Sequence, residues 1–388
     1  MGHPLTAALL AVSSIVCSSA AAFEPAPRAV PAVLEPAATT PGDPQVRPGE
    51  WNPKKAPPGW VVLETEHYQV QSQIGVEKAE RLAQHLEAML DVYRGMLPFK
   101  KKFPHFVLKV FRGREEFAEY YPRGASGTAA YYDPSAKELV GYDSGVLLGV
   151  RDIPARVRLS SHLDLDVTEA EQQRLDELFE AITDAYTFDL AAVLSHEGWH
   201  QYFHYYTVSW VTMPSWLNEG GGDYFFTARR GDDGNYSLGA MNDYRLRRVQ
   251  MAFDEGTTVP FWRMLDFEQS DYYSNPSVFY AQGWSMVQFL MHHEEPRYRA
   301  LIPKLIEDFK DNKNVRKATE KAFKGIDLRE LDDEWIQWVV TQKAHDPLAD
   351  LAREFGARIP PEALETEAAW RTMYEYQLEK LELPGDDG

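Results

Sequence analysis

Apolar and polar residues alternate in WVVLETEHYQVQ, residues 60–71, as is typical of strands. The run FVLKVF at 106–111 predicts a buried strand. Between these two segments the chain shows helical spacing, with apolar residues at Ala79, Leu82, Ala83, Leu86, Leu90 and Tyr93. SGTAAYYD and KELVGY flank PSA and predict a hairpin that ends the sheet. We therefore expect a small mixed sheet with one helix in the first third of the chain.

Helical patterns dominate the chain after this sheet. Thr168 and Glu171 match the capping box that starts a helix. A second helix is predicted from about Phe188 to Tyr205, and a third within PSWLNEGGGDYFFTARR, residues 214–230. The segment Val146–Ser160 favours no particular element. The predicted fold class is therefore α+β, with a small mixed β-sheet subdomain and a mostly helical C-terminal subdomain.

The two ends of the chain differ in composition from the middle. Residues 1–22 combine a short apolar run with Ala20-Ala21-Ala22, which fits the A-x-A pattern of signal-peptide cleavage. Residues 23–58 are rich in Pro and Ala and predict an extended linker. A folded domain is expected over 59–344, followed by an acidic C-terminal tail over 345–388. We therefore expect an exported bacterial protein, periplasmic or extracellular.

Composition narrows the classes of partner. The chain is 44% hydrophobic and 13% aromatic, which is enough for a sizeable core, and its formal charge of -19 argues against nucleic acid because phosphate would be repelled. The apolar runs after the signal peptide are interrupted by charges, so no membrane span is predicted. Cys17, the single cysteine, would leave with the signal peptide. The mature chain then has no thiol to bind a metal.

The candidate chemistry lies in LSHEGWHQYFHYY, residues 194–206, which contains the pattern HExxH. On a helix, His196 and His200 share one face one turn apart, where two imidazole nitrogens can bind the same zinc ion. Glu197 points elsewhere around the helix and can act as general base toward a water on the metal. The five-residue match is only moderately specific. Surface histidines that bind nothing are the alternative.

A catalytic zinc usually has three protein ligands, so a third is needed. His204 continues the same helix face, but at 1.5 Å per residue it lies ~12 Å from His196, too far for one straight helix to wrap an ion. We expect His204 to be a partly buried helix histidine. Glu219, in WLNEGGGDYF, is the better candidate. The segment between His200 and Glu219 is long enough for the end of one helix, a turn and the start of a second helix.

In order, His196, Glu197, His200 and Glu219 resemble the motif of the gluzincin metallopeptidases of the thermolysin-like clan, in which a Glu from the next helix follows HExxH. WLNEG is similar to a segment of the zinc aminopeptidases of that clan. The chain also resembles secreted bacterial proteins with a peptidase-MA-like domain of unknown function, in its HExxHQ, WxxEG and YAQxWxxxxFL segments. The resemblance covers much of 59–340. It implies a zincin-like two-part peptidase domain with a cleft between its parts and one Zn²⁺ ion.

The resemblance also implies residues that support the ligands. An aspartate at the offset of Asp223 from Glu219 orients the first zinc histidine in the thermolysin branch, so Asp223 would accept a hydrogen bond from His196. A carboxylate in this place fixes the tautomer of the ring and raises its basicity. We expect Asn218, beside Glu219, to support the metal ligands as well.

A candidate for stabilising the transition state lies further along the chain. Tyr280 and Gly283 fit the Tyr-x-x-Gly segment of the aminopeptidase branch, whose tyrosine holds the developing oxyanion. The chain has twenty tyrosines, and this one lies on an apolar helix, so packing is the alternative role. Tyr272 and Tyr273 are the other candidates.

Three features depart from these families. Gly198 lies inside the HExxH helix, where glycine costs ~1 kcal/mol relative to alanine. The run GGG after Glu219 is expected to loosen a helix that must hold a ligand. The aminopeptidases bind the free amine of their substrates with an acidic GAMEN segment, and the edge-strand candidate GTAAYYD has no Glu. Exopeptidase activity therefore does not follow from the resemblance.

We therefore expect a secreted zinc metallopeptidase that hydrolyses peptide bonds in a peptide or protein substrate, with Glu197 as general base and Tyr280 at the oxyanion. An extended substrate can pair with the strand near Gly127–Asp133. Two alternatives stay open: a catalytically silent zincin-fold binding or scaffold protein, and a zinc amidase acting on a non-protein amide. Oligomeric state and the choice between endo- and exopeptidase are not predicted.

Overall fold

A computed structural model describes residues 45–49, 59–98, 102–120, 129–147, 150–151, 167–186, 188–206, 213–231, 234–311, 314–356 and 358. The chain divides into two units, 1–35 and 36–388, and every described residue belongs to the second. The predicted signal peptide, most of the predicted linker and the end of the predicted tail lie outside the described residues.

Ten strands are described. Six of them form the main sheet: β1 (Arg47–Pro48), β2 (Val61–Glu64), β3 (Tyr68–Ser72), β4 (Phe106–Phe111), β5 (Ala130–Asp133) and β6 (Glu138–Tyr142). The other four form two short antiparallel pairs: β7 (Val146–Leu147) with β8 (Val150–Arg151), and β9 (Arg229–Arg230) with β10 (Tyr236–Ser237).

The main sheet is mixed, as predicted, with the order β1-β2-β3-β4-β6-β5. Strands β3, β4 and β6 run parallel to one another, and the remaining pairs are antiparallel. The predicted hairpin is confirmed, because β5 and β6 pair with Tyr132 opposite Leu139, and β5 forms the outer edge of the sheet. This edge matters for the site described below.

Fourteen helices are described, which together with the sheet confirms the α+β class. They are α1 (Val76–Met96), α2 (Arg114–Tyr120), α3 (Glu169–Tyr186), α4 (Leu190–Tyr206), α5 (Ser215–Phe226), α6 (Asp243–Glu255), α7 (Phe261–Met264), α8 (Gln269–Tyr272), α9 (Pro276–His292), α10 (Pro296–Arg299), α11 (Leu301–Asp311), α12 (Val315–Ala322), α13 (Leu328–Thr341) and α14 (Pro347–Phe355). None of the described helices is both long and apolar enough to cross a membrane.

Helix α1 joins the sheet to α4. The residues predicted for its apolar face are all buried: Ala79, Leu82, Ala83, Leu86, Leu90 and Tyr93. The Tyr93 hydroxyl donates to the carbonyl oxygen of Ser195 at 2.6 Å. Gly198 lies beneath this phenol, because a Cβ there would be 3.0 Å from its oxygen. The glycine inside the HExxH helix therefore makes room for Tyr93.

Helices α4, α5 and α9 lie side by side at the centre of the helical part. α5 packs against α4 on one side and against α9 on the other, while α4 also contacts β5 and β6. One hydrophobic core cluster runs from the sheet through these helices to α13. The helix that carries HExxH is thus held between the sheet edge and a second buried helix.

Elements also form at both predicted domain boundaries. Strand β1 lies within the predicted linker 23–58 and pairs with β2, so the sheet begins before Gly59. Helix α14 lies within the predicted tail 345–388 and packs on α3, with an ion pair between Arg174 Nε and Glu354 Oε2 at 3.0 Å. The capping box that starts α3 is present, since the Thr168 hydroxyl and the Glu171 carboxylate each accept from the other's backbone amide.

Candidate metal centre

The two histidines of HExxH lie on one face of α4, and each has an acceptor oxygen near its Nδ1. His196 Nδ1 lies 3.2 Å from Asp223 Oδ1, and His200 Nδ1 lies 3.0 Å from Asn218 Oδ1. An acceptor at Nδ1 holds the proton there. The Nε2 lone pairs of both rings are then available to a metal ion.

Glu219 brings a third donor to this point from α5. Its Oε2 lies 3.4 Å from His196 Nε2 and 3.3 Å from His200 Nε2. Zinc bonds of about 2.0–2.1 Å in a tetrahedron put neighbouring ligand atoms roughly 3.3 Å apart. Both distances from Glu219 Oε2 therefore match the spacing of neighbouring ligands in a tetrahedral zinc site.

Glu197 also lies at this site. His196, Glu197 and His200 each offer a ligand atom within 4.8 Å of the others, so these three residues can hold a metal ion. Two carboxylates thus compete for the third ligand position. We favour Glu219, because its oxygen is the nearer to both rings, whereas Glu197 Oε2 accepts a hydrogen bond from the backbone amide of Tyr132 at 3.0 Å.

That amide belongs to the edge strand β5. Its direction shows that the Tyr132 N–H points away from β6 and toward α4. A backbone amide carries no signal in a sequence pattern, so this contact is visible only in the fold. It fixes the orientation of the carboxylate that the sequence assigns as general base.

Besides His196, Asp223 has a second partner that the sequence did not reveal. Arg245, from α6, places Nε 2.8 Å from Asp223 Oδ2. Both side chains are largely buried. The ion pair holds the Asp223 side chain in place, so Arg245 supports His196 indirectly, through Asp223. The 22 residues that separate the pair in sequence leave no local pattern to detect.

Tyr273, rather than Tyr280, makes a hydrogen bond to Glu219. The Tyr273 hydroxyl donates to Glu219 Oε1 at 2.8 Å. The Tyr280 ring packs against the Tyr273 ring, with centroids 6.1 Å apart, and lies beneath the Arg245 guanidinium at 5.1 Å. The role of Tyr280 at the oxyanion stays a prediction.

Burial and the nearby negative charges have opposite effects on the pKa values of the two histidines. Burial lowers the pKa of His196, but hydrogen bonds to Asp223 and Glu219 outweigh it and raise the pKa to about 10. Burial also lowers the pKa of His200, and the Glu219 carboxylate reverses this and raises it overall. Because metals bind neutral imidazole, metal binding at neutral pH must displace protons from these rings.

The pKa values of the two glutamates shift in opposite directions. Burial raises the pKa of Glu219, but His200 and His196 outweigh it and hold the pKa well below its usual range. Burial raises the pKa of Glu197, and the nearby histidines only partly offset this. The site therefore pairs a carboxylate that stays ionised with one that more readily takes a proton.

The glycine run after Glu219 allows α5 to approach its neighbours. A Cβ on Gly220 would lie 2.5 Å from the carbonyl oxygen of Gly283 in α9, and one on Gly222 would lie 2.7 Å from the His196 ring. Gly221 faces the Trp199 indole in the same way. The run thus has a packing role that its low helix propensity conceals, and it brings Glu219 close to α4.

Replacing Gly220 with alanine is expected to destabilise the protein by about 1–3 kcal/mol, because α9 backbone must move to admit the methyl group. The measurement is the urea midpoint of unfolding. Gly95→Ala is the matched control. Gly95 is exposed near the end of α1 with open space at its Cβ, so alanine there should be neutral or stabilising. Equal midpoints for the two variants would contradict the close approach of α5 to α9.

His204 is a partly buried histidine of α4, as expected. Its ring packs edge-on against Tyr132, with centroids 5.8 Å apart, and burial lowers its pKa. It is half-buried at the end of α4 that lies beyond His200.

Residues 190–308 match a protein family described as "Protein of unknown function (DUF1570)". The match begins at the first residue of α4 and extends into α11, so it contains HExxH, Glu219 and both tyrosines near the site. No curated protein and no solved structure matches the chain.

Proposed function

We propose that the chain is a zinc-dependent metallopeptidase of the gluzincin type, exported by its predicted signal peptide. His196, His200 and Glu219 would hold one zinc ion. The observation that carries this proposal is the spacing of the three donor atoms, 3.4 and 3.3 Å between the carboxylate oxygen and the imidazole nitrogens. The far atoms of all three ligands are also supported, by Asp223, Asn218 and Tyr273.

When bound, zinc supplies Lewis acidity, which lowers the pKa of water and polarises a carbonyl group. The chain supplies proton transfer. Glu197 takes a proton on one carboxylate oxygen while the other accepts from the Tyr132 amide, which keeps the group from rotating. The raised pKa of Glu197 brings it nearer to neutral pH, where a general base is most effective. Glu197 would then pass the proton to the leaving amine.

The position of β5 supports an extended peptide as substrate. β5 is the outer strand, and among the described strands it pairs only with β6. The Tyr132 amide already points off the outer side toward Glu197. Because alternate residues of a strand point their amides to the same side, Ala130 N–H also faces outward. A substrate strand bound there would run past Glu197 and the two histidines.

Replacing Ala130 with proline removes this outward donor and should raise KM for a peptide substrate about 2–10-fold, the value of one net hydrogen bond of ~0.5–1.5 kcal/mol. Steady-state kinetics on a fluorogenic peptide measures the change. Ala130→Gly keeps the N–H and serves as control, with KM close to that of the wild type. An unchanged KM in a folded Ala130→Pro protein would reject pairing at this strand.

The proposal as a whole is tested by metal dependence. The purified mature chain should contain one zinc per molecule and should cleave a denatured protein such as casein. A chelator should remove both the zinc and the activity, and added zinc should restore both. Activity that persists in the metal-free chain would refute the mechanism.

A further inference from the structure

The two oxygens of Glu219 face different partners. Oε2 faces the Nε2 atoms of His196 and His200, at 3.4 and 3.3 Å. Oε1 accepts from the Tyr273 hydroxyl at 2.8 Å and from Asn218 Nδ2 at 3.4 Å. Glu219 is only 6% exposed, so water has little access to replace these donors. The carboxylate is thereby held in one orientation.

Tyr273 is itself held in place. It follows α8 directly, and its ring packs against Tyr272 and Tyr280, with centroids 5.6 and 6.1 Å away. The hydroxyl that donates to Glu219 in α5 is thus carried by a ring that packs against side chains of α8 and α9.

We propose that Tyr273 is a positioning residue that directs Glu219 Oε2 to the metal by occupying Oε1. The inference rests on the proposed metal site, and it assigns a task to a residue that lies 54 positions from the ligand it holds. Without this hydroxyl, a carboxylate at the end of three rotatable side-chain bonds can turn away from the histidines. A ligand held in advance binds a metal more tightly, because its orientation is not lost on binding.

The arrangement also separates the roles of the two glutamates. Each has one oxygen held by a donor from another element: the Tyr273 hydroxyl at Glu219 and the Tyr132 amide at Glu197. Tyr273 thus acts on the ligand, and Tyr132 on the base. A variant at Tyr273 should therefore change metal affinity, which a donor to the base would not do.

The test is the zinc affinity of Tyr273→Phe in the full mature chain, measured by competition with a chromophoric chelator. We expect affinity to fall about 10–100-fold, the usual effect of removing a hydrogen bond to a metal ligand. Tyr224→Phe is the matched control. Tyr224 is buried on the same helix as Glu219, but its hydroxyl bonds His292 away from the site. That variant should keep wild-type affinity.

Two further measurements separate positioning from general damage to the fold. The visible absorption of bound Co²⁺ should change in Tyr273→Phe and not in Tyr224→Phe, because only the first alters the ligand set. In a Glu219→Ala background, Tyr273→Phe should lower zinc affinity less than twofold further, since the acceptor of its hydroxyl is gone. A full additional loss in that background would mean that Tyr273 acts through the fold, and would overturn the inference.

The possible failures are distinguishable. Equal zinc affinity for wild type and Tyr273→Phe would overturn the role of Tyr273 and leave the metallopeptidase proposal intact. A wild-type chain that binds no zinc would overturn both.

Discussion

Glu197→Gln is expected to lower the turnover of a peptide substrate by about 10²–10⁴-fold while zinc stays bound. Glutamine has nearly the same shape as glutamate and can still accept from the Tyr132 amide, but it cannot take a proton from water. The three proposed ligands are untouched. The chemical step should therefore fail in a site that is otherwise complete.

The measurement is kcat together with the zinc content of the purified variant. Glu255→Gln is a suitable control, because Glu255 lies on the surface of α6, where its carboxylate pairs with Arg248. It should retain wild-type turnover. Loss of zinc from Glu197→Gln would show that Glu197 is a ligand, and would contradict the assignment of the third ligand to Glu219.

His200→Ala is expected to weaken zinc binding by roughly 10²–10³-fold, since one ligand accounts for about a quarter of the ~10–16 kcal/mol that a four-ligand site supplies. The loss of zinc affinity should also lower the stability of the fold in the presence of zinc. Zinc at 1,000 times its Kd should stabilise the wild-type fold by about 4 kcal/mol, and the variant should lose most of this.

Thermal unfolding with and without zinc measures that loss. His204→Ala is the matched control, because His204 lies one turn further along α4 and outside the ligand set. Its Tm should rise with zinc as that of the wild type does. If His204→Ala lost the effect of zinc as fully as His200→Ala, the ligand set would be wrong.

The parts of the site that could be predicted depend on local spacing. Residues four apart on a helix share a face, which placed His196 with His200 and Asp223 one turn after Glu219. The role of Glu219 was predicted from a motif that spans two consecutive helices. The same holds for the fold: apolar alternation predicted the strands β2 and β3, and the apolar spacing of α1 predicted its buried face.

The parts that could not be predicted depend on contacts between distant elements. Arg245 reaches Asp223 from α6, Tyr273 reaches Glu219 from the end of α8, and the donor to Glu197 is a backbone amide. None of these contacts is marked by a periodic pattern in the sequence. The glycine run shows the same limit, because its low helix propensity suggested a loosened helix and the packing of α5 against α4 and α9 gives it a purpose.

The most direct test of the account is digestion of a diverse peptide library by the zinc-loaded mature chain, with products identified by mass spectrometry. The account predicts cleavage that disappears in Glu197→Gln, and the ends of the fragments would distinguish endo- from exopeptidase action. No cleavage by the wild-type chain at full zinc occupancy would contradict peptidase activity. It would leave hydrolysis of a non-peptide amide, or a binding role for an intact metal site, as the function to test.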